Sequence, residues 1–192
     1  MNKNSLPVYL ASKSPRRRKL LKQIKINFKT LDIDTPEKFS DDETPYQNAK
    51  RIAIEKLNEA LKCNKSGIII TADTIVVLDN HKIAKPKSSV DAVRMLKMLS
   101  GKTHKVLTGY CVYNSETKKR ISGVEKTLVT FRDLKEKEII EYVESGSPMD
   151  KAGAYGIQDD YGAVFVSKIN GCYYNVVGLP LAKIFLAIQK VK

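Results

Sequence analysis

The sequence predicts an α/β protein with a mixed central sheet flanked by helices. Two observations carry this. Short apolar, β-branched runs alternate with segments of helical period along the whole chain. No internal repeat, low-complexity tract or linker interrupts them. At 192 residues the chain is long enough for one substantial core, so it reads as a single domain spanning residues 1–192.

The elements follow in order. Val8-Tyr9-Leu10-Ala11 reads as a short buried strand, and 16–24 as a helix opened by Ser14 as N-cap and Pro15 at the first helical position. Residues 26–33 suggest a second strand. Thr44-Pro45 repeats the cap-and-proline signal and predicts a long helix to about Cys63. The run 67–78, rich in Ile, Val and Thr, predicts a central strand, with Asp79-Asn80 as a hairpin turn into 81–84. Ser88 or Ser89 caps a helix that ends near Ser100, with Gly101 past its end. Residues 105–113 and 126–131 alternate as two further strands expected to pair. Residues 135–145 are helical and stop at Gly146. Residues 162–168 and 172–177 are expected to form a hairpin about Asn170-Gly171. Pro180 opens a last helix reaching Val191.

Lys and Arg number 34 against 21 Asp and Glu, and the resulting charge of +13 favours anionic partners: nucleic acid, phosphorylated metabolites or an acidic membrane face. A generally lysine-rich surface accounts for the excess equally well, because many of the lysines are scattered. Cys63, Cys111 and Cys172 are odd in number and widely spaced. That argues against a disulfide framework and a structural zinc site, and fits a reducing compartment. No apolar run approaches the roughly 20 residues that span a bilayer, and residues 1–10 lack the apolar core of a signal peptide. A cytoplasmic protein without membrane partners is expected.

Three segments carry chemistry. In Leu10-Ala11-Ser12-Lys13-Ser14-Pro15-Arg16-Arg17-Arg18-Lys19 the helix start exposes unpaired N–H groups, which favour an anion. Four consecutive cations sit where the helix dipole disfavours them, and such a conflict marks functional sites. Ser12 and Ser14 offer hydroxyls, and Arg16 or Arg17 can fork onto phosphate oxygens. A basic surface helix is the alternative reading of the same residues.

The second segment, Ile68-Ile69-Ile70-Thr71-Ala72-Asp73-Thr74-Ile75-Val76-Val77, places one carboxylate in an apolar strand, where it requires a partner: a metal ion, a lysine or backbone N–H groups. Lys56 shares the stripe of Ala49, Ile52, Ala53, Leu57 and Ala60, so it faces inward. Lys85 precedes Pro86 just after the predicted hairpin. Asp73 with Lys56, Lys85 and Arg17 describes a site for a polyphosphate with a metal. In the third segment, 150–158, closely spaced glycines suggest a backbone that approaches something, and the Gln158 amide can read a base edge. His81 and His104 read as structural or surface residues.

Together these stretches resemble the Maf family of nucleoside triphosphate pyrophosphatases. Ser100-Gly101-Lys102-Thr103-His104, Thr130-Phe131-Arg132, Lys168-Ile169-Asn170-Gly171 and Val177-Gly178-Leu179-Pro180 match as well, in family order from residue 9 to residue 181. The resemblance implies an inosine-triphosphatase-like fold with two lobes around a cleft, often as a homodimer. It implies cleavage between the α and β phosphates with Mg²⁺ or Mn²⁺. Asp73 matches the catalytic acid. Arg16, Thr74 and Gln158 match positions linked to base preference, in the combination of the dTTP/UTP branch. Ser12, Arg17, Lys56 and Lys85 match phosphate contacts. Thr35 stands where the family carries a glutamate that helps at the metal, leaving Asp34 or Glu37 to replace it. Two rivals stand beside this reading. A nucleic-acid-binding regulator would use the charge but lacks aromatic–basic interleaving and a recognition motif. A phosphosugar or CoA-type binder would share the cradle.

Overall fold

The computed structural model describes residues 6–158 and 161–192. Its strands form a seven-stranded mixed sheet in the order β2 (Lys29–Leu31), β1 (Val8–Ala11), β3 (Ile68–Leu78), β5 (Thr103–Asn114), β6 (Arg120–Phe131) and β7 (Val166–Asn170), with β4 (His81–Ile83) paired to β3. The chain divides into two compact units: residues 6–73 with Thr108–Glu125 and Gly178–Lys192, and Thr74–Leu107 with Lys126–Val177. No helix among the described residues is long and apolar enough to cross a membrane.

In the first unit, β1 (Val8–Ala11) lies parallel to both β2 (Lys29–Leu31) and β3 (Ile68–Leu78). Strands flanked in this way are apolar on both faces, which is why Leu10, Ile69 and Ile70 are fully buried. The second strand is shorter than its apolar pattern suggests. Helix α1 (Pro15–Gln23) is capped by Ser14, and α2 (Pro45–Leu61) by Thr44 in a capping box with Gln47. The α2 stripe of Ala49, Ile52, Ala53, Leu57 and Ala60 is buried as the spacing predicts.

Two contacts fix where α2 lies. Thr71 Oγ1 donates to Ala53 O at 2.7 Å. Gly109, in β5 (Thr103–Asn114), lies so close to the helix that a Cβ there would meet Ala49 O at 1.9 Å. Helix α6 (Leu181–Val191) is tied to the same unit by Asn114 Nδ2, which donates to Val191 O at 2.9 Å.

The second unit begins with the end of β3 and the Asp79-Asn80 turn, both residues with positive φ (49° and 65°), leading into β4 (His81–Ile83). That is the backbone a two-residue type I′ hairpin requires. Helix α3 (Ser89–Leu99) is capped by Ser88, and α4 (Glu136–Glu144) ends before Gly146. The end of β6 (Arg120–Phe131) pairs with β7 (Val166–Asn170) in antiparallel register.

The hairpin expected about Asn170-Gly171 is not formed. Residues Tyr161–Phe165 are a 3₁₀ turn, β7 pairs with β6 instead, and Tyr173–Val177 is a short helix, α5. Gly171 takes a φ of +128°, but Asn170 has no positive φ, so the I′ geometry is absent. Side-chain bonds replace the missing ladder: Thr127 Oγ1 donates to Cys172 O at 3.0 Å, and Asn175 Nδ2 donates to Val106 O at 3.0 Å. An asparagine in an apolar run thus anchors a helix that periodicity reads as a strand.

An aromatic cluster fills this unit. Phe131 meets His104, Tyr155 and Phe165 edge-on, and Tyr142 meets Phe165 likewise. His104 Nε2 and Tyr155 Oη share a hydrogen bond at 2.8 Å, while His104 Nδ1 is buried with no partner among the described residues. Burial lowers the His104 pKa to about 4.

Two outcomes follow for stability. Gly109→Ala forces α2 off the sheet and costs about 3 kcal/mol or more in urea unfolding, the upper range of overpacking; an unchanged midpoint would refute the contact. His104 titrates lower in the folded than in the unfolded chain, where its pKa is about 6.5. The folded state therefore binds fewer protons between these values. Its stability is fully present above pH 6.5 and declines by on the order of 3 kcal/mol as pH falls to 4. His104→Gln removes that part of the decline, and parallel unfolding curves across the pH series for both proteins would contradict it.

Candidate functional site

The first unit gathers most of the predicted site residues. After β1 the chain turns through Ser12-Lys13-Ser14 into α1. Ser14 Oγ accepts from the Arg17 N–H at 3.4 Å, the N-cap bond. Ser12 Oγ accepts from the Ser14 N–H and from Arg17 NH1, each at 3.2 Å. Arg17 is buried, and its Nε donates to Gly178 O at 2.8 Å. Burial lowers the guanidinium pKa, the charges of Asp73 and Glu37 oppose that, and Arg16 adds to it. Arg17 therefore shares an electrostatic site with both acids. Arg16 is half-buried in the first turn of α1.

Asp73 lies in β3 and is 5% exposed; Lys56, on α2, is 8% exposed. The Lys56 ammonium donates to Asp73 Oδ1 at 2.7 Å and to Glu37 Oε1 at 2.6 Å. Of the three partners the sequence allowed for Asp73, the structure pairs it with a lysine. Glu37 comes from the loop after β2, and its side chain is partly exposed. Asp34 is exposed, and Thr35 Oγ1 is buried without a hydrogen-bond partner among the described residues.

Among the described residues no group of three or more His, Cys, Asp or Glu side chains is placed to hold a metal ion. Two carboxylates on one ammonium are a narrower arrangement. Mg²⁺ is commonly held by one or two carboxylates, with substrate phosphates and water completing its shell. The donors here, all hard oxygens, fit a cation of that kind.

The remaining predicted residues belong to the second unit. Thr74 follows Asp73 on β3 and is half-buried; Lys85 is exposed, before a buried Pro86; Gln158 is half-buried. The glycines ahead of Gln158 do mark close approach. Gly153, at φ +75°, donates its N–H to Ala84 O at 3.1 Å, and a Cβ there would press on Val76 at 3.2 Å. Gly156 N–H donates to Tyr142 Oη at 3.1 Å.

Sequence reasoning missed the Gly178 carbonyl as the partner of Arg17, 161 positions away. It left Asp34 and Glu37 as equals; Glu37 is the one that meets Lys56. The only signal for Gly178 was its place in the Val177-Gly178-Leu179-Pro180 stretch, which no local rule connects to an arginine on α1.

Comparison with known proteins shows the family. Residues 7–191 match the family model described as Maf-like protein. A protein of Chlorobium luteolum named dTTP/UTP pyrophosphatase is 46% identical over 188 residues, covering 96% of each chain. Proteins of the same name from Alkaliphilus oremlandii and Aquifex aeolicus are 45% and 42% identical, over 94% and 96% of this chain and 93% and 95% of theirs.

Removing the ammonium leaves two acids facing each other in a largely buried site. Lys56→Met should cost about 3–5 kcal/mol in urea unfolding, the range for breaking one side of a buried pair. Adding Asp73→Asn to it should recover part of that loss. A double variant as unstable as the sum of the singles would show the pair to be uncoupled.

Proposed function

This chain belongs to the Maf-like protein family, and from that premise we propose that it hydrolyses dTTP and UTP to the nucleoside monophosphate and pyrophosphate. Its role is then to clear nucleotides from the pool. The observation that carries the reading is the buried Asp73–Lys56 pair with Glu37 on the same ammonium, in the electrostatic reach of Arg17. The names of the relatives supply the substrates.

In this reading Asp73 is the general base. Lys56 holds its Oδ1 in the free protein, and in the reacting complex the carboxylate takes a proton from water. The water oxygen forms a bond to the α-phosphorus as the bond from that phosphorus to the bridging oxygen breaks. The electron pair leaves with pyrophosphate. Ser12, Ser14, Arg17, Lys56 and Lys85 receive the phosphate oxygens, so most of the catalysis is positioning and charge stabilisation. Asp73 and Glu37, in preference to Asp34, would hold a divalent cation, Mg²⁺ or Mn²⁺, which supplies charge neutralisation to the triphosphate when bound. Arg16, Thr74 and Gln158 set the base preference. The three free thiols, Cys63, Cys111 and Cys172, suit the reducing cytoplasm such an enzyme would work in. The assembly we favour is a homodimer, without nucleic acid as a partner.

Pyrophosphate release across a panel of nucleoside triphosphates tests the reading directly, with turnover expected for dTTP and UTP. Asp73→Asn should lower kcat about a hundredfold or more, the contribution of a positioned base, with nucleotide binding still measurable. Full activity in that variant would remove Asp73 from the chemistry. Gln158→Ala should narrow the difference in kcat/KM between UTP and purine nucleotides by about tenfold, the value of one or two lost polar contacts. An unchanged substrate profile would exclude Gln158 from base reading.

A further inference from the structure

We propose that Lys56 is a resident counter-cation: it occupies the carboxylate oxygens of Asp73 and Glu37, and a divalent cation reaches them only together with a nucleotide. This rests on the reading above and adds an order of binding to it. The Lys56 ammonium stands 2.7 Å from Asp73 Oδ1 and 2.6 Å from Glu37 Oε1. A hard cation held by the same two acids would stand within a few ångströms of that ammonium, where two positive centres repel.

The local charge count points the same way. Asp73 and Glu37 contribute two negative charges and Lys56 and Arg17 two positive ones, with Arg16 adding a third that acts on Arg17, so the group has no negative charge to spare. A divalent cation entering alone would leave it strongly positive in a largely buried place. A triphosphate entering with the cation brings the missing negative charge and gives the ammonium new oxygen acceptors.

Only one of the two resident cations is built to move. Arg17 is buried and braced by bonds to Gly178 O and Ser12 Oγ. Lys56 is a compact charge on a flexible stem with rotatable donors. Glu37 sits on a loop with its side chain 44% exposed, so it too can shift as the ammonium leaves. The lysine thus turns from carboxylate to phosphate, and cation and nucleotide bind with positive coupling.

The test is Mn²⁺ binding to the protein, followed by the electron paramagnetic resonance of free Mn²⁺, with and without α,β-methylene-UTP. The wild-type protein should bind Mn²⁺ weakly alone and about tenfold or more tightly with the analogue, a coupling of ~1.4 kcal/mol or more. Lys56→Met, checked for its fold by circular dichroism, should bind Mn²⁺ without nucleotide at least about tenfold tighter than wild type, while Lys56→Arg stays weak. Equal affinity in wild type and a folded Lys56→Met would overturn the proposal. So would wild-type affinity that is the same with and without the analogue, a result that needs no variant. Pyrophosphate release by the wild type separates the two levels. No turnover of dTTP or UTP refutes the enzymatic reading itself, whereas turnover with nucleotide-independent Mn²⁺ binding refutes only the role of Lys56.

Discussion

A buried ammonium between two carboxylates sets the tolerance for everything around it. Ions taken out of water regain their solvation only through short, well-aligned contacts. The Lys56 contact to Asp73 at 2.7 Å therefore demands that α2 and β3 be held to within a fraction of an ångström. The packing supplies this. Gly109 admits the α2 backbone at Ala49, and Thr71 holds it at Ala53, one turn before Lys56. What looks like ordinary core packing is what aims the lysine.

The cluster of cations at the start of α1 resolves in the same terms. A helix N-terminus disfavours positive charge, yet residues 16–19 are all basic. Arg17 turns inward, toward the charges of Asp73 and Glu37 and the carbonyl of Gly178, so the protein's own acids and dipoles offset part of the conflict. Arg18 turns back to donate to Lys13 O at 2.9 Å. The net charge of the whole chain is a poor guide to this site, where two acids stand among the bases.

Much of this was legible from residue order because the signals are local. Ser14-Pro15 and Thr44-Pro45 marked two helix starts, the spacing of Lys56 within the α2 stripe turned it inward, and an acid inside β3 had to find a partner. The failures are just as physical. Residues 172–177 look like a strand because Tyr and Val favour one, but buried side-chain bonds from Asn175 and Thr127 settle them as a helix. The choice between Asp34 and Glu37 depends on the path of a loop without periodicity. The bond from Arg17 to Gly178 joins opposite ends of the chain, and no local pattern reports such a contact.

That last bond bears on how the chain is made. The unit holding Asp73 draws its residues from both ends of the polypeptide: Gly178 accepts from Arg17, and Val191 accepts from Asn114. During synthesis, which proceeds at about 5–20 residues per second, α1 emerges long before the Gly178 carbonyl that braces its Arg17. The arginine turn is then completed only once residue 178 has cleared the ribosome. Until that moment Arg17 lacks the distant carbonyl that fixes its direction.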